Sequence, residues 1–158
     1  MRRTFAQVLL QHAKQDKDII LVTADLGYGM WNAFRDELPD QFYNVGAAEQ
    51  SMMGIGVGLA LEGKKPFVYS ITPFLLYRPF ETIRNYVNHE KTPVRMIGGG
   101  RDKDYTHDGF SHHAEEDVKV MSIFKNIKSF WPESKEEIKG LVEFVINNDY
   151  PVYINLKR

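Results

Sequence analysis

A parallel α/β domain, with helices on both faces of its sheet, is the architecture this sequence predicts. Three observations point there. Apolar runs of strand length alternate with helix-length segments along the whole chain. Runs such as Ile19-Ile20-Leu21-Val22 are continuous, as in strands covered on both faces. No hairpin dipeptide stands between consecutive strands. Together they give a three-layer α/β/α domain with a roughly six-stranded parallel sheet.

The elements follow in order. Thr4 to Gln15 reads as an amphipathic helix burying Phe5, Val8, Leu9 and Ala13, with Thr4 as its cap. Ile19 to Ala24 is the first strand. It ends in Asp25-Leu26-Gly27, where a parallel strand delivers polar residues to a ligand-binding rim. Met30 to Leu38 forms a short helix stopped by Pro39, and Phe42 to Val45 a second strand. Glu49 to Leu61 is a nearly all-apolar helix closed by Gly63, in which Gly54 and Gly58 share one face open to another backbone. Pro66 to Ile71 is the third strand, and Thr72-Pro73 opens a helix running through Phe74, Arg78, Phe80, Ile83, Arg84 and Val87. Pro93 to Ile97 is the fourth strand, and Gly98-Gly99-Gly100 calls for an unusual backbone. A polar loop from Arg101 to His113 is long enough to carry function. Ala114 to Ile123 forms a helix, Ile127 to Phe130 a fifth strand, and Ser134 to Glu137 a capping box for a helix reaching Asn147. Pro151 to Leu156 is the sixth strand.

The 158 residues fit one domain. A net charge of −1 offers no basic surface for nucleic acid. Cysteine is absent, which removes disulfides, thiolate metal sites and cysteine nucleophiles. No apolar run reaches membrane-spanning length and no signal-peptide core is present, so a cytoplasmic protein is the expectation.

Glu49 is the odd residue of its helix. It either complements the helix dipole at an exposed N-terminus, or it is buried, at a cost of several kcal/mol unless it is paired or protonated. Phe74 is either core or a platform for a flat ligand. Asp25 either caps a turn or faces a ligand. Adjacent His112 and His113 are poorly placed to chelate one ion together, and no other spacing gives a metal site. Arg78 and Arg101 can each hold a phosphate or carboxylate through two nitrogens.

Gly46-Ala47-Ala48-Glu49-Gln50, followed by a Gly-rich apolar helix, resembles the G-x-A-E-Q segment of the transketolase family, in the pyrimidine-binding domain of thiamine-diphosphate enzymes. Thr23-Ala24-Asp25-Leu26 resembles the family's T-A-D-L strand end. Phe74 with Leu75, Arg78, Phe80, Glu81, Ile83 and Arg84 resembles its F-L-x-x-R-A-F-E-Q-I-R helix, and Asp108 to His112 its D-G-P-[ST]-H loop.

The resemblance implies a thiamine-diphosphate-dependent transferase moving two-carbon ketol units between sugars. Glu49 would hydrogen-bond N1′ of the aminopyrimidine and favour its imino form, so that the cofactor's own exocyclic nitrogen serves as base. Phe74 would stack on that ring and Asp25 would lie near it. Asp108 and His112 would contact the sugar, with His112 a possible proton carrier, Arg78 a further substrate contact, and His107 and His113 weaker candidates. Phe110 stands where the family has proline, His113 where it has glutamine, and Pro79 where it has a small residue. No histidine matches the one transketolases carry near Gly98 to Arg101. These departures put the sugar in question more than the cofactor.

Nothing in the sequence resembles the G-D-G…N segment that binds magnesium and diphosphate, and the expectation is a chain without the family's third domain. A separate diphosphate-binding subunit carrying Mg2+ is therefore expected, in a heterotetramer with two copies of each chain, acting on a phosphorylated or nucleotide-linked sugar. Two alternatives remain open: a decarboxylase or acyl-transferring subunit on the same cofactor half-site, and a non-catalytic module derived from this fold.

Overall fold

Ile19 and Leu21 point to one side of a sheet and Ile20 and Val22 to the other. Both sides are covered in the computed structural model, which describes residues 1–158. The elements are α1 (Arg2–Ala13), β1 (Ile19–Thr23), α2 (Asn32–Glu37), β2 (Phe42–Asn44), α3 (Glu49–Leu61), β3 (Lys65–Ile71), α4 (Thr72–Tyr77), α5 (Phe80–Thr82), β4 (Arg95–Gly99), α6 (Asp117–Ser122), β5 (Lys128–Phe130), α7 (Glu136–Ile146) and β6 (Val152–Leu156). All six strands are parallel, in the order β2-β1-β3-β4-β6-β5. The expected three-layer architecture is the one observed.

On one face, Phe5 and Leu9 of α1, Trp31 and Phe34, and Ile138 and Val142 of α7 pack on Leu21, Phe67, Ile97 and Ile154. On the other, Met52, Met53 and Val57 of α3, Leu75 and Leu76 of α4, and Met121 of α6 pack on Val22, Val68, Met96 and Tyr153. Burial of each large apolar side chain contributes about 1.5–3 kcal/mol, so these two layers supply most of the stabilisation. No helix is long and apolar enough to cross a membrane.

Four local expectations change. Thr4 lies inside α1 rather than capping it: Arg2 and Arg3 are good helix formers, so the helix begins earlier and has no side-chain cap. The capping box before α7 is half formed. Glu137 accepts hydrogen bonds from the N–H groups of Glu133 and Ser134, while no side chain caps the helix in return. The single helix expected after β3 is broken at Pro79, whose ring denies the helix an N–H and crowds the preceding turn. It resumes as α5 and runs on as a π-helical turn, Ile83–His89. Of the three glycines ending β4, only Gly100 is left-handed, at φ 91°. Gly99 is needed for space instead, since a methyl there would stand 2.4 Å from the Tyr69 hydroxyl.

The expected open face of α3 also needs division. Gly56 faces inward, where a β-carbon would lie 2.7 Å from Val68, and so lets α3 settle on β3. Gly54 and Gly58 touch nothing. They share an uncovered apolar face with Ile55 and with Leu61, which is 71% exposed.

Candidate functional site

Every strand of a parallel sheet points its carboxyl end the same way, so the loops leaving β1, β2, β3 and β4 gather along one edge. The chain leaves β2 through Val45 and turns at Gly46 (φ 73°). It enters α3 after Ala48, which provides no side-chain cap. Glu49 therefore starts the helix on the stripe that carries Met52, Met53, Gly56 and Val57, and it goes inward with them.

Glu49 is 3% exposed, which excludes the exposed-dipole reading. Its burial is offset in two ways. A carboxylate in the first turn meets the positive end of the helix dipole. Arg78, just past the end of α4, donates from Nη1 to Glu49 Oε1 at 2.8 Å. The break at Pro79 leaves Arg78 at a helix C-terminus, where a cation is favoured.

Phe74 lies one turn before Arg78, half-buried rather than in the core. The Arg78 guanidinium carbon sits 3.7 Å from the centre of the Phe74 ring. The His112 ring meets Phe74 edge-on, 4.9 Å between centres, and its Nδ1 lies 3.0 Å from Ser111 Oγ. Glu49, Arg78, Phe74 and His112 thus form one continuous series of contacts across α3, α4 and the loop after β4.

The other expected site residues lie along the same edge without joining that series. Asp25, at φ 51°, accepts hydrogen bonds from the Tyr28 hydroxyl at 2.8 Å and from Asn44 Nδ2 at 3.2 Å. These two bonds, Tyr28 first, hold its carboxyl below the usual aspartate range. Asp108 pairs with His107 at 3.1 Å. His113 lies half-buried near Glu115, with its Nε2 unpartnered, and Phe110 is 78% exposed.

Arg101 requires a correction. It is a candidate anion binder by sequence, yet it is 7% exposed and each of its three guanidinium nitrogens already donates inside the protein. Nε donates to Asn155 Oδ1, Nη1 to Glu133, and Nη2 to the carbonyls of Pro132 and Asn155. Beneath it, buried Asp117 accepts from Trp131, Tyr153 and Asn155, and Thr72 donates to the Gly100 carbonyl. This network roots the loop that carries His112. Sequence reading missed it, although Asn155 in the middle of an apolar strand was a signal.

A hollow of about 450 Å³ on the π-helical turn is lined by Arg84, Asn85, Tyr86, Asn88, His89 and Glu90. It holds none of the residues above, and its walls come from a single segment. The buried carboxylate beside an aromatic face is the stronger site.

The model of the transketolase pyrimidine-binding domain matches residues 1–158. The chain is 34% identical to one of the subunits of apulose-4-phosphate transketolase from Phocaeicola vulgatus, over 99% of its own length and 51% of that protein. It is 30% identical to the 6-deoxy-6-sulfo-D-fructose transketolase subunit SqwH of a Clostridium species, over 100% of its length and 49% of that protein. Among solved structures, a split-gene transketolase described as an inactive β4 tetramer superimposes with a TM-score of 0.87. It is 30% identical, over 99% of this chain and 50% of that one. The chain spans about half the length of these relatives.

Proposed function

The chain belongs to the family of transketolase pyrimidine-binding domains, and from that premise we propose that it acts as a subunit of a thiamine-diphosphate-dependent, transketolase-like transferase. The observation that carries the reading is Glu49, a carboxylate 3% exposed at the ligand edge of the sheet, joined through Arg78 to the half-buried ring of Phe74. This pair fits an aminopyrimidine: one member supplies a π-face for a flat ring, the other an oxygen for a ring nitrogen. When bound, thiamine diphosphate supplies the acidic thiazolium C2 position that carries two-carbon ketol units.

The chain's own residues then have defined tasks. Glu49 holds a proton at N1′, in surroundings dry enough to make that bond strong. Phe74 fixes the plane of the ring, a stack contributing about 0.5–1.5 kcal/mol beyond burial. Asp25, exposed and ionised, borders the site from β1. His112, edge-on to Phe74, contacts a ketose hydroxyl or carbonyl, and Asp108 of the same loop is a second contact to the sugar. The diphosphate and Mg2+ belong on a second polypeptide, in an assembly with two copies of each. Both relatives are named for ketoses ending in an acidic group, a phosphate or a sulfonate, and an acidic ketose is the substrate class we assign.

The test is proton–deuterium exchange at thiazolium C2, using this chain, a diphosphate-binding partner, their mixture, and the mixture with Glu49→Gln. Acceleration in the mixture alone, reduced about 10²–10⁴-fold by the substitution, supports the reading. A complex that forms and accelerates nothing would favour a non-catalytic module.

A further inference from the structure

Arg78 satisfies both demands that an aminopyrimidine would make on this site. Its guanidinium is flat and rich in N–H groups. It lies 3.7 Å above the Phe74 ring while donating to Glu49 at 2.8 Å. A ring that is to rest on Phe74 and still reach Glu49 needs the same face and the same space.

We propose that Arg78 is an internal occupant of the aminopyrimidine subsite, held there in the chain by itself and displaced when the ring arrives. Two features make it displaceable. Its side chain is 46% exposed, so the guanidinium can swing into water. Glu49 is its one hydrogen-bond partner, and the arriving ring replaces that partner for Glu49. The occupant also has a use, because it keeps a buried carboxylate paired at a position where an isolated charge is costly. The consequence is a lowered apparent affinity for the ring, by the fraction of time that Arg78 is in place.

This inference rests on the cofactor reading above, and its test separates the two. The full chain, Arg78→Met and Arg78→Lys are titrated with 4-amino-2-methylpyrimidine by calorimetry, and the Arg78 side-chain Nε–H signal of the unsubstituted chain is followed by NMR. Arg78→Met should bind the ring about tenfold more tightly. Arg78→Lys, which keeps a cation for Glu49 but lacks the flat fork, should fall between the two, and it carries the test if the methionine variant does not fold. The Arg78 signal, shifted by the Phe74 ring, should move to its solvent position as the ring is added. Equal or weaker binding by both variants, or an unmoved Arg78 signal at saturation, overturns the displacement and leaves the cofactor reading standing. Absence of ring binding by all three proteins also overturns the displacement, and the cofactor reading then stands or falls with the exchange experiment on the mixture.

Discussion

Glu49 and Arg101 are both ionisable, both nearly buried, and both on the carboxyl-end side of the sheet, yet their surroundings differ in kind. Arg101 is held by all three guanidinium nitrogens: four hydrogen bonds bind it to β6 and to the segment before α7. Glu49 has one partner, and that partner is half in water. A charge held by several bonds inside the protein is part of the scaffold. A charge with a single replaceable partner is available for exchange. One nearly buried charge thus serves the scaffold and the other exchange, and the count of fixed partners tells them apart.

Breaking the more heavily bonded side should have the largest effect. Arg101→Met strands the buried acceptors of Asn155 and the Pro132 carbonyl, while exposed Glu133 keeps Lys157, and should cost about 1–3 kcal/mol in urea unfolding for each acceptor left unsatisfied. A loss below about 1 kcal/mol, within the range of exposed ion pairs, would erase the contrast with Glu49. The comparison recurs on a smaller scale inside α3. Gly56→Ala drives a methyl toward Val68, and overpacking of this kind costs about 1–3 kcal/mol. Gly58→Ala meets nothing, and should instead stabilise the chain by about 0.5–1 kcal/mol. If the uncovered face of α3 receives a partner chain, Gly58→Ala weakens the assembly while stabilising the chain, a split that sedimentation and thermal unfolding together would reveal.

The smallest effect concerns acid. The Asp25 carboxyl titrates lower in the fold than in the unfolded chain, so its contribution is present above the ordinary aspartate value. It is lost as pH falls through the folded value, below about pH 4. Melting curves between pH 5 and pH 3 should fall slightly less steeply for Asp25→Asn than for the unsubstituted chain. Identical slopes would show that the bonds from Tyr28 and Asn44 carry no weight.

What could be read in advance followed from local pattern. The bounds of α3 were legible because Gly46 and Gly63 punctuate an apolar run, and the strands because their residues stay apolar on both faces. The inward turn of Glu49 was not, since a first-turn carboxylate fits either an exposed or a buried stripe until the helix is laid on β3. Arg78 could not be paired with Glu49 from spacing, because their contact spans 29 residues and crosses a strand. Arg101 in a polar loop resembled a solvated cation, as the bonds that bury it come from Pro132, Glu133 and Asn155. Pro79 inside a helical pattern was a readable break that the continuous helix overlooked.

The strand order sets a timetable as well as a shape. β6 lies between β4 and β5, both of which precede it in the chain. Neither of these two strands can find its final neighbour until Val152–Leu156 has been made, 53 residues after Gly99 closes β4. During synthesis β4 therefore waits with an open edge, the kind of template that invites wrong pairings. Contacts this distant in sequence also form slowly. The root of the His112 loop depends on Asn155, and so it is among the last parts of the molecule to set.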